Sequence, residues 1–288
     1  MPLTFPFEKM QGVGNDFVVA EARHLPGVNL GSLAIRICDR HLGVGADGLL
    51  ILAESDEADY RMRMFNPDGT EDDCGNGLRC VVRYVRRHFT PGDYLTFETL
   101  PGVRQTEVLE HNDRESRIRV NMGQPRLSPP EIPMLTNRPD AIRFPIDLHG
   151  EIRRFTCMST GSTHAVTFLE EPAPDETFLS ESPLIEHHPL FPERTSVIWA
   201  WIAAPGSLRI RIWERGVGET LGCGTGACAA AVAAQLEGRA RGTISIVSRG
   251  GSLEIEWNDE IWMTGPAVSV FEGRWAEDDR RGEESAGE

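Results

Sequence analysis

The sequence predicts an α/β protein made of two pseudo-symmetric domains that face one another, and three observations predict it. Residues 61–65, RMRMF, match residues 209–213, RIRIW, in strict alternation of basic and apolar side chains, the period-two signature of a half-buried strand. Each strand then enters a loop rich in Gly and acids (NPDGTEDD; ERGVGETLG), followed by CGNG or CGTG, an apolar helical run (LRCVVRYVRRH; ACAAAVAAQLEG), and another strand with a tight turn (YLTFETLPGV; TISIVSRGGSLEIEW). Cys223 follows Cys74 by 149 positions, about half of the 288-residue chain, as duplication of one strand–loop–helix–strand unit produces.

The other elements fit this plan. NLGSLAIRICDRHLG reads as an Asn-capped helix ending at Gly43, and GLLILAE, TEVLEH, RIRVNMG, EIRRFTCM, HAVTFLE and TSVIWAWIA read as short strands. The Pro-rich stretch 124–139 serves as the crossing between halves. The expected domains are 1–122, joined by a C-terminal strand near 266–275, and 123–265. Residues 276–288 form an acidic tail with almost no apolar side chain after Trp275, expected to be disordered.

Composition narrows the function classes. Hydrophobic residues make up 40% and charged residues 25%, and no run reaches the roughly 20 apolar residues of a membrane span, so a soluble protein is expected. The N-terminus carries no basic-then-apolar signal, so the expected compartment is the cytoplasm. A formal charge of −15 repels phosphate backbones and anionic lipid, which argues against nucleic acid or membrane as partner. The six cysteines contain no C-x-x-C pair, so they are expected to be thiols with no metal site. GVGADG, residues 43–48, satisfies G-x-G-x-x-G by letter, but it follows a helical stretch and precedes a strand, the reverse of a dinucleotide fingerprint.

The cysteines at the loop-to-helix junctions carry the chemistry. A helix N-terminus exposes unpaired N–H groups and the positive end of its dipole, so a thiol there is expected to ionise more readily than free cysteine. The glycines after it let backbone amides approach an anion. Two such units in apposition place one sulfur on either face of a small anion: one takes a proton from carbon and the other delivers one to the opposite face. The amides of Gly75, Asn76, Gly224 and Thr225, aimed at a carboxylate, stabilise the enolate-like charge. Pyridoxal phosphate requires a Schiff-base lysine, and Lys9 is the sole lysine, so no cofactor is expected.

The segments KMQGVGNDF, GVGADGLL, FNPDGTEDDCGNGLR and WERGVGETLGCGTGACAAA resemble the signatures of the diaminopimelate epimerases, in order from residue 9 to about 265. The resemblance implies two domains, each a β-barrel-like sheet around a central helix, with the active site in the interdomain cleft, and commonly a homodimer. It implies Cys74 and Cys223 as the acid/base pair, tuned by His164 and Glu214. Substrate contacts would fall to Asn15, Asn66, Gly75, Asn76, Ser162, Ser196, Glu214, Arg215, Gly224 and Thr225, with Arg215 pairing the distal carboxylate. The chain departs from the family in four places. Ser162 and Ser196 stand where asparagines are usual, Gly48 where some members have a Gln, and Gly222 where Ala precedes the second cysteine.

The distal changes keep open a related racemase of another amino acid, such as histidine. Two further classes use the same residues: a thiol redox protein and a catalytically silent dicarboxylate-binding module. Individual residues also have plainer readings. Cys38, Cys80, Cys157 and Cys228 are expected in the core, Glu214 and Arg215 can form a surface pair, and Asn15 and Asn66 can serve as turn residues. His164 can be a satisfied strand histidine, and His187 and His188 read as loop residues.

Overall fold

Apolar–polar alternation turns most of the chain into strands, and their pairing closes two barrels around two helices. The computed structural model describes residues 3–89, 92–148 and 150–276. In the first half, β1 (Thr4–Gly12) and β2 (Asn15–Glu21) form a hairpin, and α1 (Leu30–Cys38) crosses to β3 (Gly48–Ala53), parallel to β2. β4 (Tyr60–Phe65) returns antiparallel with the short β5 (Glu71–Asp72) beside it. The helix α2 (Gly75–Phe89) then crosses to β6 (Tyr94–Thr99), parallel to β4, and β7 (Gly102–His111) and β8 (Glu115–Gly123) follow as a meander.

The second half repeats this order. β9 (Phe144–Leu148) and β10 (Glu151–Ser159) form a hairpin, β10 pairs with β11 (Thr163–Leu169), and α3 (Asp175–Glu186) crosses to β12 (Ser196–Ala204), parallel to β11. β13 (Ser207–Glu214) returns with the short β14 (Gly218–Thr220), and α4 (Gly224–Leu236) crosses to β15 (Ile244–Ser248), parallel to β13. β16 (Gly251–Trp257) and β17 (Ile261–Ala276) complete it.

The 16 residues of β17 serve both halves. Its start pairs with β16 and β8, and its end, Val268–Ala276, pairs with β1. The first half thereby closes as an 8-strand barrel in the order β1, β2, β3, β4, β6, β7, β8, β17 and back to β1. In the second, the run β10, β11, β12, β13, β15, β16, β17, β8 is tied back to β10 by the bridge between Arg126 and Ser159.

Each barrel encloses one helix. α4 is buried from Ala227 to Ala234, because a run of small apolar side chains lets strands approach it from every side. Residues 75–85 of α2 are likewise buried, including two arginines. The two helices share one hydrophobic core; separate clusters lie under α1 and between α3 and the second barrel.

Several expectations change. The first helix ends at Cys38, not Gly43: Asp39 leaves helical geometry and its carboxylate accepts the amides of His41 and Leu42, while a Cβ on Gly43 would collide with the Arg36 carbonyl. The β1–β2 hairpin, β9 and α3 go beyond the elements expected from the sequence; α3 carries Pro183 inside it and too little amphipathic contrast to announce a helix. Ala276, assigned to the tail, ends β17, while residues 277–288 of the expected tail lie outside the described residues. Among the described residues no helix is long and apolar enough to cross a membrane.

Trp199 sets the packing of the second half. It is fully buried, its Nε1 donates to Ser182 Oγ at 3.0 Å, and its ring meets Phe178 edge-on at 5.9 Å. Trp199→Ala is expected to lower the unfolding free energy by about 3–5 kcal/mol in urea titrations, through the cavity and the stranded Ser182 hydroxyl.

Candidate active site

Both cysteines predicted as reactive stand at helix tips inside the barrels. Cys223 is the N-cap of α4: its Sγ accepts the Gly226 amide at 3.4 Å and its carbonyl the Ala227 amide at 2.9 Å. Cys74 repeats this at α2, with Sγ accepting Gly77 N at 3.4 Å and the carbonyl accepting Leu78 N at 2.8 Å. The second glycine of each motif has a packing reason. A Cβ at Gly77 would lie 2.9 Å from Leu50 Cδ2, and one at Gly226 2.8 Å from Ile198 Cδ1, so barrel strands press directly on the first turn.

The two tips meet. A Cβ on Gly224 would stand 3.2 Å from Asn76 Oδ1 and 3.2 Å from Met263 Sδ, and one on Gly75 would stand 2.8 Å from Met263 Cε. Met263 of the shared β17 thus lies between the tips. A second junction lies at the β1–β2 turn, where Val13 holds φ 53, a left-handed conformation that strains a β-branched residue. Its carbonyl would be 2.5 Å from a Cβ on Gly222, which accounts for glycine before the second cysteine.

Electrostatics corrects one expectation. Burial pushes Cys74 up to about 12, and the charges of Asp73 and Glu214 add to it. Cys223 is raised well above the ordinary range by burial and then by Glu214. The helix-tip amides act in the expected direction but lose to desolvation, so both thiols are protonated in the free protein. Glu214 is itself raised by burial, held in check by Thr220 Oγ1 donating to its Oε1 at 2.5 Å. Because Glu214 bears on both sulfurs, the two motifs share one electrostatic environment.

The other predicted residues divide. Asn15 is at the first tip: its Oδ1 accepts from Cys74 Sγ at 3.6 Å and from Asn76 Nδ2 at 3.4 Å, while its Nδ2 donates to Asp47 Oδ2 at 2.8 Å. Thr225 Oγ1 is 3.3 Å from Cys223 Sγ. Ser162 Oγ lies 3.1 Å from His164 Nε2, and His164 is paired in register with Ser196, whose Oγ accepts the Arg215 amide at 3.1 Å. Arg215 is exposed, donates to the Glu193 carbonyl at 3.1 Å, and meets no carboxylate among the described residues. Asn66 is not joined to either sulfur by a hydrogen bond; its amide is spent on Thr70 Oγ1 at 3.1 Å and Asp72 Oδ2 at 3.5 Å within its own loop. Cys38, Cys80, Cys157 and Cys228 are buried in the core, and all six cysteines are free.

Sequence reasoning missed the supports. Asp47 holds Asn15 and is bridged by Arg40 to Asp16, which in turn pairs with Lys9. The ammonium of Lys9 also donates to the Gly45 carbonyl, so the sole lysine is occupied inside a structural cluster. Thr160 Oγ1 donates to the Thr225 carbonyl at 2.8 Å, tying β10 to the second tip. No local pattern marks these residues, because their roles come from strands distant in sequence.

Fused barrels with a helix in each also occur in a hydroxyproline epimerase from Agrobacterium vitis, solved with bound trans-4-OH-L-proline. That structure has a TM-score of 0.70 and 14% identity, covering 97% of this chain and 94% of that one. A methylitaconate-delta-isomerase is similar, with TM-score 0.64 and 12% identity over 97% of each chain. The fold is shared with these two structures. Within it the sequence is specific. The model of diaminopimelate epimerase matches residues 7–128 and 156–270. The diaminopimelate epimerase of Moorella thermoacetica is 45% identical over 276 residues, covering 93% of this chain and 98% of that protein. That of Desulforudis audaxviator is 46% identical, with the same coverage. The chain belongs to the diaminopimelate epimerase family and is an isomerase.

His164 yields a pH prediction. Burial, and secondarily the Arg215 charge, lower it to about 3, and its Nδ1 is buried without a partner among the described residues. The unfolded chain, with an ordinary histidine near 6.5, binds a proton that the folded state refuses. Stability from this group is therefore complete above the unfolded value and is lost as pH falls toward 3, at up to about 1.4 kcal/mol per pH unit. Asp16, lowered to about 2 as hydrogen bonds from Arg40 and Lys9 outweigh burial, adds a loss in the same direction only below about pH 4. In denaturant titrations between about pH 6.5 and 4, His164→Gln is expected to flatten the slope.

Proposed function

We propose that the protein is a cofactor-independent epimerase that interconverts LL- and meso-2,6-diaminopimelate, with Cys74 and Cys223 exchanging protons at one α-carbon. The observation that carries this reading is the pair of sulfurs capping two abutting helix tips, each accepting an amide at 3.4 Å. The relatives' names supply the substrate.

In this reading the substrate's α-carboxylate lies in the cradle made by the amides of Gly75, Asn76, Gly224 and Thr225, in the cleft between the halves. One cysteine, as thiolate, takes the α-proton while the other, as thiol, gives its proton to the opposite face; the reverse turnover exchanges the roles. Charge leaving the α-carbon moves onto the carboxylate, where fixed N–H groups need no reorganisation. Both thiols are protonated in the free protein, so one must lose its proton as the site assembles around substrate. Glu214, at Cys223, and His164, beside Ser162, tune the pair. Asn15, Ser162 and Ser196 hydrogen-bond the substrate, Asn66 joins them only by leaving Thr70 and Asp72, and Arg215, free of a carboxylate partner among the described residues, takes the distal carboxylate.

The functional unit is the whole chain, divided at 122/123 with 266–275 returned to the first domain, acting as a cytoplasmic homodimer in lysine biosynthesis without a nucleic-acid or membrane partner. In D₂O the protein is expected to place deuterium at the α-carbon of diaminopimelate and change its stereochemistry, followed by mass spectrometry and chiral chromatography. Cys74→Ala and Cys223→Ala are each expected to lower the epimerisation rate by about 10²–10⁴-fold while remaining folded. Absence of exchange with reduced wild-type protein overturns the assignment, and a panel of single-enantiomer amino acids then tests the racemase reading that Ser162 and Ser196 leave open.

A further inference from the structure

Arg79, on α2, has no part in the chemistry above. It is fully buried, yet among the described residues it meets no carboxylate. Its Nη2 donates to Asn76 Oδ1 at 2.9 Å, Nε to the Pro266 carbonyl at 3.2 Å, and Nη1 approaches Met263 Sδ at 3.4 Å. Two glycines make room for it: a Cβ on Gly12 would stand 3.1 Å from Nη2, and one on Gly265 3.3 Å from Nε. A buried guanidinium without a counter-charge is costly, and an apolar side chain of similar volume would be cheaper. The repeat shows that the fold does not need it, because the matching position, five residues after the second cysteine, is Cys228.

The groups around Arg79 explain the expense. Cys74 and Cys80 face it from its own helix and Cys228 from α4, whereas β1 and β17 present only Gly12, Gly265, Met263 and Pro266. Cys74 in turn faces the acids Asp73, from its own loop, and Glu214, from β13, both of which oppose a thiolate. Among the cations, Arg83 bears on Cys80 and Arg104 on Asp73 and Cys228, and Arg79 is the one hydrogen-bonded to Asn76 at the tip. Since a guanidinium only donates, Asn76 turns its oxygen toward Arg79 and its amide nitrogen toward Asn15 Oδ1, 3.4 Å away and itself in contact with Cys74.

We propose that Arg79 is a positioning residue that fixes the Asn76 amide at the helix tip and supplies the buried positive charge balancing an anion held between the two tips. That anion is the Cys74 thiolate or a substrate carboxylate; the second half of the statement rests on the two-thiol reading, the first does not.

The test reads each half separately. Iodoacetamide alkylation rates of Cys74 and Cys223, resolved by peptide mass spectrometry from about pH 7 to 11, need no substrate and report each midpoint through the thiolate fraction on the rising limb below it. In Arg79→Met the midpoint for Cys74 is expected to rise by about one pH unit, a tenfold change in thiolate at fixed pH, and that for Cys223 to move less. Arg79→Lys keeps the charge and is expected to hold the wild-type midpoint. In α-proton exchange with diaminopimelate, Arg79→Met is expected to lose about tenfold or more in kcat/KM with its acidic limb displaced upward. Arg79→Lys recovers the limb but not the full kcat, because one ammonium cannot reproduce the fork on Asn76 and Pro266. A folded Arg79→Met protein with an unchanged Cys74 midpoint overturns the proposal and leaves Arg79 as packing. If Arg79→Met does not fold, Arg79→Gln carries the same expectation. If neither neutral variant folds, a wild-type midpoint in Arg79→Lys supports the proposal and a raised one overturns it. Wild-type protein that exchanges no α-proton sinks the epimerase reading alone, since the alkylation result stands without it.

Discussion

The geometry of the site depends on one contact made twice: a cysteine sulfur accepting the amide three residues ahead, at the first turn of a helix that a barrel has closed around. That bond fixes the sulfur only because the helix tip cannot move. Leu50 and Ile198 press on the glycines of the first turn, and strands surround the helix on every side, so the cap is held by packing rather than by the weak S···N interaction alone. The same enclosure sets the ionisation. A helix-tip dipole and one or two amides favour the thiolate, but removing a thiolate from water opposes it more strongly, and desolvation wins at Cys74 and Cys223 alike.

Two barrels repeat one plan, and β17 makes them one object. Because that strand pairs with β16, β8 and β1 along its length, the end of the second repeat completes the first barrel. Met263 then falls between the two helix tips, and Pro266 accepts from Arg79 of α2. The strained Val13 turn presses from the first barrel onto Gly222 and Gly251 of the second, with Asn15 two residues farther along the same turn. The turn that carries Asn15 is thus one of the elements that hold the halves together. The symmetry is broken where charge matters: Arg79 on one side, Cys228 on the other.

The first tip is also supported from outside. Lys9, Asp16, Arg40 and Asp47 form a chain of ion pairs ending on the amide nitrogen of Asn15, so the oxygen of that amide is left for Cys74. A carboxylate only accepts and a guanidinium only donates, so Asp47 and Arg79 at the two ends fix which way both asparagine amides point.

Much of this was legible in the sequence because it is local or periodic. The alternation in RMRMF and RIRIW, the repeated Cys-Gly-x-Gly, and the 149-residue offset determined the strands, the two cysteines at the helix tips and the duplicated plan, since period, turn residues and spacing are properties of the chain itself. Tertiary structure alone decided the closure of the barrels, the occupation of Lys9, the placing of Arg79 and Asp47, and the withdrawal of Asn66 into its own loop. It also reversed the expected ionisation of the thiols. Asn66 is held by Thr70 and Asp72 of its own loop, but the other outcomes depend on burial and on partners dozens to hundreds of positions away, such as Gly45 for Lys9, Asn15 for Asp47 and Pro266 for Arg79, and neither quantity is carried by any short stretch of sequence.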